Sequence, residues 1–193
     1  MSCALLSKIK DNEQRLLVDV ISRNAKRLQR LTEDILDITK IESQSLNLKK
    51  EIFNLNEVVM SILAEYGSQT RGKNNVKITF VPKGDFAVQG DRGRLGQVLS
   101  NLISNAIKFT QEGNIDILLE KMQNDKAAVL SVKDTGSGIE PDIMPRLFTK
   151  FATRSEVGTG LGLYISKSVI EAHGGRIWAE NSPDGNGATF SLF

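Results

Sequence analysis

The chain has 193 residues, enough to bury one medium-sized core with an appended segment. With 40% hydrophobic residues, 25% charged residues and a formal net charge of +2, it has an ordinary globular composition and no field that selects nucleic acid or a membrane surface. Cys3 is the only cysteine, so an internal disulfide is excluded and a reducing setting fits; no apolar run is long enough to cross a bilayer, and Met1–Leu6 is too short for a signal-peptide core.

Lys8 to Ser45 predicts one long helix. Leu17, Ile21, Asn24, Leu28, Leu31, Ile35 and Ile38 alternate four and three residues apart, which is a coiled-coil seam with one polar position. A single helix cannot bury such a stripe, so a partner helix or chain is expected. Gln44 to Asn54 reads as a connector. Asn54 or Asn56 then caps a helix running to about Tyr66. Gly67 to Asn74 is a near miss to the P-loop pattern, with Asn74 where Ser or Thr is required, and reads as a surface loop. Val76–Val81 alternates as a strand, and Phe86–Val88 reads as a second short one.

The run Arg94–Thr110 is the centre of the sequence. Leu95, Val98, Leu99, Leu102, Ile103, Ala106 and Ile107 mark the buried face of an amphipathic helix. The opposite side carries Asn101, Asn105 and Lys108 in line, one turn apart, where a solvated face would use Lys and Glu. An amide oxygen suits Mg²⁺ and an ammonium suits phosphate, although a surface helix that happens to contain Asn is the plain alternative.

Asn114–Met122 and Ala127–Lys133 predict two strands joined by an Asn124-Asp125 turn. Asp134-Thr-Gly-Ser-Gly-Ile139 follows, then a polar loop with Pro141 and Pro145. Gly158-Thr-Gly-Leu-Gly-Leu163 opens an apolar helix to about Glu171, which ends at His173-Gly-Gly175. Arg176–Glu180 and Ala188–Phe193 are the closing strands, around an Asp184–Gly187 turn. Gly158, Gly160 and Gly162 at a helix entrance fit a phosphate cradle or a plain glycine-rich turn. A dinucleotide fingerprint would need Gly in place of Leu163 and a preceding strand. Asp134, at a strand end beside small residues, fits a hydrogen bond from an exocyclic amine or a plain Asp-Gly turn. His173 reads as a helix-end residue, and Trp178 and the Phe residues are too scattered for a nucleic-acid stacking platform.

The order of these motifs is more telling than any one of them. Asn101…Asn105-Ala-Ile-Lys108-Phe109-Thr110, Asp134–Ile139, Phe148-Thr-Lys-Phe151, Gly158–Leu163 and Gly185-Asn-Gly-Ala-Thr189-Phe190 resemble the N, G1, F, G2 and G3 boxes of two-component sensor histidine kinases. Ser22–Glu42 also resembles the second helix of that family's dimerisation and phosphotransfer hairpin. The resemblance covers nearly the whole chain.

It implies an α+β chain. A long coiled-coil-like helix (1–46) would precede a Bergerat-type two-layer α/β sandwich (47–193), with a mixed sheet covered by helices on one face. ATP and Mg²⁺ are the implied cofactors. Asn105 would hold Mg²⁺ with Asn101 nearby, Lys108 would meet a phosphate, and Phe109 would flank the nucleotide. Asp134 would bind the adenine amino group, with Gly136, Gly138 and Ile139 beside it. Gly158, Thr159, Gly160, Leu161 and Gly162 would hold phosphates beneath a lid from about Ile139 to Val157. Thr189 is a further adenine-side candidate, and Arg154 a lid contact.

The implied activity is protein-histidine kinase, signalling to a response-regulator receiver domain from a cytoplasmic homodimer formed through the helical region. The family's acceptor His lies on the first hairpin helix, a segment this chain does not contain. The chain is therefore expected to bind ATP without phosphorylating itself, any membrane anchor belonging to a longer parent. Two rival readings are a non-catalytic nucleotide-responsive interaction module and an ATPase that drives clamp closure.

Overall fold

The computed structural model describes residues 12–69, 75–82, 84–121, 128–153, 158–183 and 185–193, which form two compact units dividing after Gln44. The first holds helix α1 (Asn12–Glu42). It stops three residues short of the expected end, where Gln44 turns to a φ of 52°; Lys8–Asp11 lie outside the described residues. Leu17, Ile21, Leu28 and Ile35 are all more than half exposed, so their stripe meets solvent. Asn24, the polar seam position, turns its amide back to the Val20 carbonyl at 2.9 Å.

The second unit runs β1 (Glu51–Asn54), α2 (Leu55–Gln69), β2 (Val76–Phe80), β3 (Ala87–Gly90), α3 (Arg92–Phe109), β4 (Gly113–Lys121), β5 (Ala128–Asp134), a 3₁₀ turn at Met144–Arg146, α4 (Gly162–Ala172), β6 (Ile177–Asn181) and β7 (Ala188–Leu192). The main sheet has the order β2-β4-β5-β7-β6. Only β2 and β4 are parallel, so the sheet is mixed. Alternation along β4 buries Ile115, Ile117 and Leu119; β5 does the same with Leu130 and Val132. Val98, Leu99, Leu102, Ile103 and Ala106 of α3, with Ile165, Val169 and Ile170 of α4, complete that core. Each large aliphatic side chain here contributes about 1.5–3 kcal/mol by leaving water. The fold is the expected α+β two-layer arrangement.

The supposed connector before Asn54 is corrected. Glu51–Asn54 is a strand, paired antiparallel with β3 in a separate two-stranded sheet, from Glu51 opposite Gly90 to Asn54 opposite Ala87. Its partner lies beyond α2 and β2, so no local hairpin signal announces it. The cap of α2 is as expected, with Asn54 Oδ1 accepting the Asn56 N–H at 3.0 Å. That helix continues to Gln69, so the predicted Gly67–Asn74 loop begins helical, and its remainder from Thr70 lies outside the described residues. The Asn124-Asp125 turn also lies outside them.

Candidate functional site

Helix α3 begins at Asp91, whose Oδ1 accepts the Arg94 N–H at 3.0 Å and whose Oδ2 accepts the Lys49 N–H at 2.8 Å. Burial pushes this carboxyl up, but the N–H groups of Arg94, Lys49 and Gly93 and the Arg94 charge outweigh it and hold it below the ordinary range. Asp91 is held in turn by His173, whose Nε2 accepts the Asp91 N–H at 2.9 Å while its Nδ1 lies 2.8 Å from the Val169 carbonyl. Those partners require the proton on Nδ1. His173 thus joins the C-terminal end of α4 to the start of α3. Gly174, with φ +84°, is the left-handed residue just past that helix end.

From this anchor α3 runs between two turns. At its middle, Asn101 Nδ2 donates to Ser166 Oγ on α4 at 3.0 Å. Gly162, the first residue of α4, lies so close that a Cβ there would meet Asn101 Oδ1 at 2.4 Å. At its far end, the Phe109 carbonyl lies where a Cβ on Gly136 would reach it at 2.4 Å. Asn105 sits between these contacts, half-buried, and its side chain makes no hydrogen bond among the described residues. Lys108 Nζ stands 4.9 Å from the centre of the Phe109 ring, and partial desolvation pulls its ammonium below the ordinary lysine range. Thr110 follows, fully buried, with an Oγ1 that has no partner among the described residues.

Asp134 ends β5 opposite Ile115 and shares its buried face. Oδ1 accepts the Gly136 N–H at 2.9 Å and the Ala188 N–H at 3.4 Å. Oδ2 has no hydrogen-bond partner among the described residues. Burial pushes the carboxyl up, opposed by the two N–H groups. The result is a carboxylate with one oxygen fixed and one available to a ligand donor. Gly187, at φ +89°, lets the next turn cross directly over it, since a Cβ there would lie 1.9 Å from the Asp134 carbonyl oxygen.

The glycines before α4 divide their roles. Gly160, at φ +69°, packs on the backbone of Phe151, itself in the left-handed region at φ 62°. Thr159 Oγ1 accepts the Leu161 N–H at 3.2 Å, so that N–H is already engaged, and Leu161 is buried. Gly162 serves the Asn101 contact. The motif therefore acts in good part as a packing device.

The predicted residues meet in two places along α3, Asn101 with Gly162 and, two turns on, Phe109 with Gly136 and Asp134, with Asn105 and Lys108 on the same helix. Thr189 is not, which corrects its expected place. It pairs with Lys133 and Glu180, and residues directly opposite in antiparallel strands share a face, so Thr189 stands on the other side of the sheet from Asp134. Ala188 occupies the position beside the carboxylate. Arg154 lies outside the described residues. Sequence reasoning missed Asn181, at the end of β6. Its Oδ1 accepts the Ile139 N–H and its Nδ2 donates to the Ile139 carbonyl, both at 2.7 Å. An Asn at a strand end gives only a turn signal, so nothing local reveals this clamp.

Among the described residues no group of His, Cys, Asp or Glu could hold a metal alone, and no helix is long and apolar enough to cross a membrane. Residues 90–193 match the profile of the histidine kinase-, DNA gyrase B- and HSP90-like ATPase family. The chain is 34% identical to the sensory/regulatory protein RpfC of Xanthomonas campestris pv. campestris over 94% of its own length and 27% of that protein's, so it spans about a quarter of this curated relative. The full-length structure of ShkA in complex with AMPPNP superposes with a TM-score of 0.78 at 27% identity, over 97% of this chain and 40% of that one. The nucleotide-free catalytic domain of histidine kinase ThkA gives 0.66 at 35% identity, over 75% of this chain and 93% of that one. ThkA in complex with response regulator protein TrrA gives 0.70 at 30% identity, over 98% and 54%.

Proposed function

The chain belongs to the histidine kinase-, DNA gyrase B- and HSP90-like ATPase family, as a sensor histidine kinase catalytic domain, and on that premise we propose that it binds Mg-ATP between α3, the Asp134 turn and the entrance to α4 and transfers the γ-phosphoryl group to a histidine. The observation that carries this reading is Asp134. It is a buried carboxylate with Oδ1 saturated by two backbone N–H groups and Oδ2 without a partner. That arrangement accepts a hydrogen bond from the 6-amino group of adenine.

Asn105 would offer its amide oxygen to Mg²⁺, which characteristically takes few protein ligands and completes its shell with phosphate oxygens and water. The half-buried Asn105 amide, which makes no side-chain hydrogen bond among the described residues, fits that chemistry. Bound Mg²⁺ would neutralise charge on the phosphates. Lys108, on the next turn, would place its ammonium at a phosphate, with Phe109 against the nucleotide. Gly136, Gly138 and Ile139 would wall the adenine side. Gly158, Thr159, Gly160, Leu161 and Gly162 would line the phosphate side, and Arg154 would add a lid contact. Thr189 has no part in this arrangement.

Transfer makes a bond from an imidazole nitrogen of the acceptor to the γ-phosphorus and breaks the bond to the β,γ-bridging oxygen, releasing ADP; the chain contributes positioning and charge. The acceptor is not His173, the chain's only histidine, because both its ring nitrogens are engaged between α3 and α4. The acceptor therefore comes from another segment or polypeptide. The exposed stripe of α1 would mediate pairing with a second copy, residues 1–46 forming the helical region and 47–193 the catalytic domain. ThkA's complex with response regulator TrrA supports a receiver domain as downstream partner, and the expected setting is the cytoplasm.

Calorimetric titration of ATP, with and without Mg²⁺, tests the reading. Saturable, magnesium-enhanced binding that disappears in Asp134→Ala is expected. Unchanged affinity in that variant would refute the site.

A further inference from the structure

Four backbone segments meet around Asp134, and one side chain outside the boxes closes them into a ring. From Asp134 the chain passes through Gly136, whose N–H returns to Oδ1, and Gly138 to Ile139. Ile139 is gripped through both its N–H and its carbonyl by the Asn181 amide at 2.7 Å. Asn181 pairs in the β6–β7 ladder with Ala188, and the Ala188 N–H reaches back to the same Asp134 Oδ1. Gly138 leaves the space for this: at φ +70°, a Cβ there would stand 3.1 Å from Asn181 Oδ1. The two N–H groups that fix Asp134 thus sit on two separate stretches, and the Asn181 side chain adds two hydrogen bonds that tie the end of the first, at Ile139, to the strand that pairs with the second.

We infer that Asn181 is a positioning residue that sets selectivity for a 6-amino over a 6-oxo purine nucleotide, an inference that rests on the nucleotide-site reading above. The chemistry follows from the carboxylate. An ionised Asp134 with Oδ1 immobilised presents Oδ2 as an acceptor in one fixed direction, which matches an amino group and opposes a carbonyl oxygen. Without the Asn181 clamp, the Gly138–Ile139 end of the turn loses its two side-chain bonds while its start stays held where the Thr135 N–H donates to the Asn114 carbonyl at 3.1 Å, so the Gly136 N–H fixes Oδ1 less firmly and the carboxylate gains freedom to turn. The amine contact weakens, while a 6-oxo nucleotide, which never made that contact, is little affected. A fixed ring therefore widens the gap between the two ligands and a slack one narrows it.

The test uses the whole chain, with ATP and inosine triphosphate as probes in the presence of Mg²⁺, and follows amide hydrogen exchange at Ile139. Asn181→Ala is expected to weaken ATP by roughly threefold to tenfold, the scale of one or two surface hydrogen bonds. It should leave inosine triphosphate affinity within about twofold of its original value on the same scale, and speed exchange at Ile139. A purely structural loss would weaken both nucleotides alike, so an unchanged ratio of the two affinities, with Ile139 exchange accelerated, overturns the inference. Asn181→Asp keeps the acceptor for the Ile139 N–H but loses the donor to its carbonyl. It should fall between the parent and Asn181→Ala, and it decides the question alone if the alanine variant does not fold, a parental ratio then overturning the inference. A parent chain that binds neither nucleotide would instead overturn the site reading itself, and the inference with it.

Discussion

Asn101 and Gly162 touch across the α3–α4 junction with no room for a methyl group, a Cβ on Gly162 falling 2.4 Å from Asn101 Oδ1. The glycine of the second glycine-rich box is thereby tied to the first asparagine of the Asn-bearing helix. This contact, together with the Asn101–Ser166 hydrogen bond, fixes how the entrance to α4 sits against α3.

Gly162→Ala should therefore displace Asn101 and break its bond to Ser166. A loss of about 1–3 kcal/mol is expected from overpacking, read as a lowered denaturation midpoint. An alanine variant as stable as the parent would show that Asn101 can move aside freely.

The two asparagines should separate cleanly. Asn101→Ala leaves the buried Ser166 hydroxyl unpaired, a loss of about 1–3 kcal/mol in stability. The Asn105 side chain has no hydrogen bond among the described residues, so Asn105→Ala should change the melting temperature little while abolishing the Mg²⁺ enhancement of ATP binding. A persistent magnesium effect in that variant would remove Asn105 from the metal role.

Asp134 carries a stability signature of its own. Burial raises its carboxyl above the ordinary aspartate value, so folding favours its protonated form. Its stabilising contribution is present below that value and is lost as pH rises through the higher folded-state value. Asp134→Asn removes this slope. The variant should gain stability relative to the parent between pH 4 and pH 7, by chemical denaturation at each pH, while losing ATP binding. A stability difference that stays flat across that interval would contradict the burial effect.

His173→Phe should lower stability by about 1–2 kcal/mol, because the Asp91 N–H loses its acceptor at the start of α3. Given a separate acceptor polypeptide, the variant should still transfer phosphate once its lower stability is allowed for. Incorporation of labelled phosphate into His173 of the parent chain would reverse that assignment.

Helix α3 was readable because its apolar period is long and regular, and β4 and β5 because each alternates over enough residues to show a face. The order of the boxes then placed Asn105 and Asp134 in one fold. What escaped was set by partners distant in the chain. Glu51–Asn54 needs β3 to become a strand. The choice between Ala188 and Thr189 depends on which face of the sheet each residue meets, and the ladder to β5 decides it. Asn181 acts through Ile139, and no local spacing connects the two.

The order of the sheet also bears on how the protein comes to be made. Strand β7 lies between β5 and β6, yet it follows both in the chain. When β5 has already paired with β4, its other edge does not meet its native partner until α4 and β6 have been made. During that interval a strand edge with buried-type residues such as Leu130 and Val132 is available to other nascent chains. Cellular yield should consequently depend on folding helpers and temperature more than the stability of the finished domain suggests. Lesions in β7 should show first as insoluble protein, before any measurable effect on nucleotide affinity.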